Sequence, residues 1–236
     1  ILYSASDDRT VRIVEPSIST YRNLRSIPAH SDAVMDVLVT EGGNVLVTAS
    51  KDQTAKIWKL DPNNGPPTLL DILGHGGAIH QIRASTDGTL LLSWASDETV
   101  RLWNLKTGQL RRTYRVNGAI AGIALRPDGK QLSIMTTDGT LRVWLTNEEA
   151  EEPNLIKKWN KKPRYLRYDP KSRWLAVAFE QKQWLLLEAN CYRELRQYEI
   201  SHGEANVLTW TPTGNILLIG DHNGGVSSWW CPGCKP

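Results

Sequence analysis

Residues 95–105 read ASDETVRLWNL, and the same phrase returns as SDDRTVRIV at 6–14, SKDQTAKIW at 50–58 and TTDGTLRVW at 136–144. Each version opens on a polar head and closes on a large apolar residue six positions later. Aligned on those two points, Asp8 goes with Val14, Asp52 with Trp58, Asp97 with Trp103 and Asp138 with Trp144. Gln181 with Leu187 and Asn223 with Trp229 continue the series in degenerate form. Successive heads are 44, 45, 41, 43 and 42 residues apart. A beat of that length marks a chain built from stacked supersecondary units.

A second position keeps step. His30, His75 and His202 precede their heads by 22, 22 and 21 residues, and Asn117 and Asn160 hold that place in the two repeats between, each 21 before the head. After it come alternating apolar residues, as in AVMDVLV at 33–39 and AIAGIAL at 119–125. A turn follows (TEGGN, STDGT, RPDGK, DPKSR or TPTGN), then a β-rich run such as VLVTAS or LLLSWAS that leads into the phrase. Beyond the terminal Trp lies a variable fourth strand, LLDIL or QLRRTYR. Each unit is therefore four strands joined by tight turns. Such a sheet has two apolar faces and cannot stand alone in water, whereas radial stacking buries both.

The pattern resembles the WD40 repeat family over essentially the whole chain. The Gly-His pair of that family stands here as Gly74-His75, with Ala29-His30 and Ser201-His202 as variants. Its Trp-Asp ending takes the forms Trp58-Lys59, Trp103-Asn104 and Trp144-Leu145. The segment RWLAVAFEQKQWLLLEAN has neither acidic head nor terminal Trp and is placed by spacing. The resemblance implies an all-β β-propeller of four-stranded antiparallel blades. It also implies a structural network linking Trp, a strand hydroxyl, His and Asp. The residues concerned are His30, Asp52, Trp58, His75, Asp97, Trp103, Asp138, Trp144, His202 and Trp229. The hydroxyl is Thr48 or Ser50 in the second repeat and Ser93 in the third. A His and an Asp recurring in register with the fold belong to the fold, not to a catalytic pair.

The repeats run over 1–29 (partial), 30–74, 75–116, 117–159, 160–201 and 202–236 (partial), one propeller domain expected to belong to a longer chain. Counted by strands, that is three, four sets of four, then three, or 22. Propellers of this family usually have seven blades and sew the ring shut with a strand from the opposite terminus; on this count the ring does not close.

Composition fits the same picture. Ten Trp against one Phe point to a repeated structural slot for tryptophan. A net charge of +3 makes no case for nucleic acid on its own. No apolar run is long enough to span a bilayer, and the first residues, ILYSASDDRTVRIV, lack the basic start and apolar stretch of a signal peptide. Three cysteines, Cys191, Cys231 and Cys234, make no disulfide framework, so a reducing, cytoplasmic setting is expected.

No phosphate-binding loop, zinc helix, calcium loop or nucleophile elbow occurs, so no catalytic residue and no cofactor is expected. GHGG at 74–77 resembles an esterase oxyanion motif but reads better as the Gly-His of a blade. CPGC at 231–234 has zinc-knuckle spacing yet supplies two of four ligands, and Cys191, His202 or His222 would have to complete it; no metal is expected. The segment KKWNKKPRYLRYDPKSRW at 157–174 interleaves cations with aromatics, which supports an alternative reading as a nucleic-acid or polyanion surface. Neutralisation by the acidic run EEAEE at 148–152 is the competing expectation.

The family's usual role makes a recognition platform the leading expectation: binding to protein or peptide partners, or to other domains of one signalling polypeptide. Positions at the mouth of the ring are free to vary without harming a blade. Flanking the first apolar residue of each inner strand, they are Ala33 and Met35, Ala78 and His80, Ala119 and Ala121, Lys162 and Arg164, Glu204 and Asn206. The residue before each head joins them: Asp7, Lys51, Ser96, Thr137, Glu180 and His222. One side of this set is small and nearly neutral, the other charged. A metal-bound or catalytic propeller using His80, His222 or the CPGC segment is the lesser alternative.

Overall fold

A computed structural model describes residues 1–16, 21–40, 42–63, 65–148, 150–180, 182–200 and 203–230. Among these residues the chain is all-β, and it divides into two compact units, Ile1–Arg115 and Val116–Pro236.

The first unit holds three antiparallel sheets. Sheet 1 is β1 (Leu2–Ala5), β2 (Thr10–Pro16) and β3 (Tyr21–Pro28); sheet 2 is β4 (Val34–Val39), β5 (Val45–Ser50), β6 (Thr54–Lys59) and β7 (Thr68–Gly74); sheet 3 is β8 (Ile79–Ala84), β9 (Leu90–Ala95), β10 (Thr99–Asn104) and β11 (Leu110–Arg115). The second unit repeats the arrangement. Sheet 4 is β12 (Ile120–Leu125), β13 (Gln131–Thr136), β14 (Thr140–Leu145) and β15 (Leu155–Lys158). Sheet 5 is β16 (Pro163–Tyr168), β17 (Trp174–Phe179), β18 (Gln183–Glu188) and β19 (Glu194–Glu199); sheet 6 is β20 (Ala205–Trp210), β21 (Ile216–Asp221) and β22 (Val226–Trp230). Every sheet is an antiparallel meander in chain order, the form of a propeller blade, with 22 strands in the described residues as the spacing predicts.

In sheets 2 to 6 the repeated phrase is the hairpin between the second and third strands plus the third strand itself; in sheet 1 it is the hairpin between β1 and β2 plus β2. The residue after each head is left-handed: Arg9 (φ 70), Gln53 (φ 71), Glu98 (φ 60), Gly139 (φ 86), Lys182 (φ 59) and Gly224 (φ 84). Even the degenerate fifth copy keeps this turn. Where the head is Asp, its carboxylate fixes the turn by accepting from the N–H and hydroxyl of the Thr two residues on. Asp52 Oδ1 does so with Thr54 at 3.0 and 2.7 Å, and Asp97 Oδ1 with Thr99 at 3.1 and 2.7 Å.

Six residues before each head stands a leucine, and register places it across from the residue six after the head: Leu2 with Val14, Leu46 with Trp58, Leu91 with Trp103, Leu132 with Trp144, Leu175 with Leu187 and Leu217 with Trp229. The terminal Trp thus packs on the sheet before its own. Trp58 joins Val11 and Ile27 of sheet 1, and Trp103 joins Val47 and Ile57 of sheet 2. In the second unit Leu187 packs with Leu141 of sheet 4, and Trp229 with Trp184 of sheet 5. Burying one tryptophan side chain removes roughly 150–250 Å² from water. The blades are stable as stacks for that reason.

Candidate functional site: the bulged ends of the first strands

In sheets 2 to 6 the first strand begins with an irregularity in its ladder. The register slips between Val34 and Asp36, Ile79 and Gln81, Ile120 and Gly122, Pro163 and Tyr165, and Ala205 and Val207. The residue left over at each slip is Met35, His80, Ala121, Arg164 or Asn206. A β-bulge bends its strand and re-aims the extra side chain, and bulges concentrate beside binding sites. Beside each bulge a single backbone bond ties the head turn to the strand start. It runs from Lys51 N to Ala33 O, Ser96 N to Ala78 O, Thr137 N to Ala119 O, Glu180 N to Lys162 O and His222 N to Glu204 O, at 2.8 to 3.3 Å. Within each of these five blades the structure therefore joins the residue before the head to the residue before the first apolar residue of the inner strand. The bulges themselves were not foreseen, because a bulge leaves hydrophobic alternation almost intact.

In the first unit this end is nearly neutral. Met35 is 37% exposed, and Lys51 and Ser96 are exposed. His80 is half-buried against Trp94, ring centroids 4.9 Å apart, with Nε2 2.7 Å from Ser96 Oγ. Burial, helped by the Lys51 charge, holds the His80 pKa below its ordinary value. Trp94 was not singled out from sequence, since a Trp inside an apolar strand reads as core. In the second unit the end is ionic. Lys162 Nζ lies 2.9 Å from Glu180, and Arg164 lies 3.2 Å from Glu204 and 3.9 Å from Glu180. Arg164 also donates to Ala205 O at 3.4 Å, so it links β16 to β20. Thr137 is half-buried, and Asn206 and His222 are exposed.

The residues of the expected network are brought together in two blades. His30 Nδ1 faces Asp52 at 2.9 Å, His30 Nε2 faces Thr48 Oγ1 at 2.7 Å, and the Trp58 indole donates to Thr48 at 3.1 Å. His75 repeats this with Asp97 at 3.2 Å and Ser93 Oγ at 2.7 Å, and the Trp103 indole donates to Ser93 at 2.8 Å. Thr48, not Ser50, is the linking hydroxyl; Ser50 donates to Asp32 O at 3.1 Å instead. Burial depresses both imidazoles despite the opposing pull of their aspartates, so each histidine is held neutral. Burial raises the pKa of Asp52 and Asp97, but hydrogen bonds from threonine, backbone N–H groups and His outweigh it and leave both at about 2.

The later blades do not assemble the network. The hydroxyl stands four residues before the head, and those positions are Ile134, Val177 and Ile219 in sheets 4 to 6. The Trp144 indole accordingly donates to Glu151 O at 3.3 Å, while Asp138 accepts from Thr136, Thr140 and Lys158. Trp229 packs edge-on to Trp184 at 5.7 Å, and its buried indole N–H meets no hydrogen-bond acceptor among the described residues. In place of the network, sheets 4 and 5 share a chain of hydroxyls from Ser133 to Tyr168 (2.6 Å) to Tyr192 (2.7 Å), ending on Gln131 at 2.9 Å. His202, Cys231 and Cys234 lie outside the described residues, as does Gln181. Cys191 is exposed, with Sγ 3.3 Å from Glu188. Among the described residues no group of three or more His, Cys, Asp and Glu side chains is placed to hold a metal ion, and no helix is long and apolar enough to cross a membrane.

The basic segment 157–174 is spread over two blades, on β15, β16 and the following turn. Five of its cations sit beside carboxylates: Lys157 by Glu194, Lys158 by Asp138, Lys162 by Glu180, Arg164 by Glu204 and Arg173 by Asp169. These acids come from neighbouring strands and turns, not from the 148–152 run. Of the aromatics, Tyr168 is core with Trp159 packed against its cluster, while Tyr165 and Trp174 pack against the separate cluster of sheets 5 and 6.

Residues 21–59 and 67–104 match the family described as WD domain, G-beta repeat. The chain carries WD40 repeats. Each matched segment begins at or beside the last strand of one sheet (β3, β7) and ends with the third strand of the next (β6, β10), so a WD40 repeat straddles two sheets and ties them covalently. Over 66 residues the chain is also 37% identical to the nuclear distribution protein PAC1 of Fusarium vanettenii. That stretch covers 25% of this chain and 14% of that protein, so the likeness is to a part of it.

Proposed function

We propose that this chain is a non-catalytic recognition module whose units bind protein or peptide at the bulged ends of their first strands. The observation that carries the reading is the repetition of one device in five blades: a bulge residue aimed out of the ladder beside a backbone-pinned turn. The residues it presents differ from blade to blade while the backbone does not. That is how a rigid scaffold carries a specific surface. Met35, Lys51, His80 and Ser96 offer apolar and neutral contacts; Lys162, Arg164, Glu180, Glu204, Asn206 and His222 offer charge and hydrogen bonds. An apolar, nearly neutral stretch fits the end of the first unit, and a charged stretch fits the end of the second. A place in a larger cytoplasmic signalling or assembly protein accords with this division. The polyanion alternative is less well supported, because carboxylates already occupy most of the cations of 157–174.

Selection of binders from a displayed peptide library against the chain, followed by affinity measurement on His80→Ala, Arg164→Ala and Asn206→Ala, tests this. At least a tenfold loss is expected for one or more of the three, with Arg111→Ala on β11 as the neutral control. Binders indifferent to all three variants would place recognition elsewhere.

A further inference from the structure

The last strand of sheet 3, β11, reads LRRTYR and holds three arginines and no acid. It stands at the end of the order β11-β10-β9-β8, so no further strand of the sheet covers its outer edge. From Arg112 onward the side chains alternate: Arg112 is half-buried and Tyr114 buried, whereas Thr113 and Arg115 are exposed, as is Arg111. Arg111 sits where the ladder between β10 and β11 slips. Leu102 faces Arg112, Trp103 faces Leu110, and Arg111 is left over. The same slip in β3, β7 and β19 leaves over Leu24, Leu70 and Leu195. Sheet 3 thus carries an exposed arginine at a bulge where three other sheets carry a leucine.

Cations on a sheet edge deter a like-charged strand from pairing there. The same charge attracts a strand of opposite sign, provided that the sheet has not already neutralised it. On β15 the cations are neutralised, Lys157 by Glu194 and Lys158 by Asp138. On β10 Arg101 lies beside Asp97. Arg111 and Arg115 meet neither a carboxylate nor a hydrogen-bond acceptor among the described residues. Burial raises the Tyr114 pKa, and the charges of Arg112 and Arg111 oppose that rise, so the positive field of the strand is felt in the core beside it.

We infer that β11 is a docking edge for an extended acidic segment of a partner protein, which adds to sheet 3 as a further strand. Backbone hydrogen bonds along the edge hold the segment, and side-chain charge selects it. Glu or Asp on alternate residues of the segment falls on one face of the enlarged sheet, the face of Thr113 and Arg115. Arginine binds a carboxylate through two parallel N–H groups, which a lysine cannot do. Leu110, 46% exposed, adds an apolar contact at the start of the strand. The edge belongs to a last strand and not to the bulged first-strand ends, so the inference does not rest on the recognition surface proposed above.

The test is fluorescence anisotropy of a labelled Glu-Val-Glu-Val-Glu-Val peptide titrated with the chain. Saturable binding is expected, weakening as added salt screens the charges. Arg111→Ala combined with Arg115→Ala should weaken it by about tenfold or more, with unchanged far-ultraviolet circular dichroism because both side chains are exposed. His80→Ala should leave it unchanged. The same peptide N-methylated throughout keeps its charge but has no N–H to give the edge, and should not bind. A wild type that shows no saturable binding overturns the inference, as does binding indifferent to the two arginines. Binding lost in His80→Ala would move the peptide to the first-strand ends and overturn it too. So would an N-methylated peptide, or a single-stranded oligonucleotide of equal charge, that binds as tightly as the acidic peptide, since charge alone would then suffice.

Discussion

Ser93 Oγ lies 2.7 Å from His75 Nε2 and accepts the Trp103 indole N–H at 2.8 Å. With His75 Nδ1–H given to Asp97, the imidazole is neutral and Nε2 must accept, so Ser93 donates to it. One hydroxyl therefore orders the chain from indole to carboxylate. Ser93→Ala leaves a buried indole N–H and a buried imidazole nitrogen unpaired, at a cost of about 1–3 kcal/mol for each stranded group. Urea unfolding should show the midpoint falling with the slope unchanged, while Ser93→Thr keeps most of the stability. Asp97→Ala should lose a similar amount.

Stability should fall on acidification in two stages. His30 and His75 titrate below their ordinary 6.5 in the folded chain, so as pH drops through that value the unfolded state takes up protons that the native state refuses. Asp52 and Asp97 titrate at about 2 instead of 3.8, so their contribution is present above 3.8 and is lost as pH falls toward 2. Thermal melts across this range check both stages. His30→Gln with His75→Gln should lower stability at neutral pH yet flatten the upper stage, because no imidazole remains to be charged.

The fold was legible because the repeat writes its register in few residues. A head such as Asp52, a Trp six later and a His 22 earlier locate two turns and two strands at once. The two network blades were legible for the same reason, since hydroxyl, His, Asp and Trp are all present in the chemistry. The site was half legible. Turn spacing places Lys51 or Glu180 beside a strand start, but nothing in MDVLV separates a bulged Met35 from a paired one. Nor does local sequence tell that Arg164 of β16 meets Glu204 at the start of the next blade, because that carboxylate stands 40 residues away. Ion pairing across blades depends on stacking, which no local pattern encodes.

Gly139 is the left-handed turn residue of sheet 4, at φ 86, and a Cβ there would stand 2.1 Å from Trp159 O and 2.7 Å from Lys161 O. Backbone strain and a clash with fixed carbonyls act together. Gly139→Ala should therefore cost more than the roughly 1–2 kcal/mol of a left-handed L-residue alone. At Glu98 the same turn carries a side chain at φ 60, so Glu98→Gly relieves that strain and should raise the melting temperature. Melting curves of the two variants should move in opposite directions.

Lys162 and Arg164 pair with Glu180 and Glu204 at the exposed end of the second unit. Exposed pairs of this kind contribute about 0–1 kcal/mol each, so replacing both cations with Ala should barely change the melting temperature. Charge reversal is different. Lys162→Glu with Arg164→Glu would crowd four carboxylates at one place and should lower stability measurably in low salt, with recovery as added salt screens the repulsion. A salt-independent loss would mean that Arg164 matters through its bond to Ala205 O and not through charge.

Tyr168 OH is fully buried between Ser133 Oγ at 2.6 Å and Tyr192 OH at 2.7 Å, and burial drives its pKa well above the ordinary tyrosine value. The hydroxyl is thus a permanent donor and acceptor in the chain that reaches from β13 through β16 to Tyr192 and back to Gln131. Tyr168→Phe keeps the ring in its cluster with Leu175 and Leu187 and removes one oxygen. Two neighbours lose a partner in the same step, so a loss of about 1–3 kcal/mol is expected. Ser133→Ala made alone should cost a similar amount, and the double variant should cost much less than the sum, since the second change removes a group the first has already stranded. Strict additivity would show that the three hydroxyls do not act as one network.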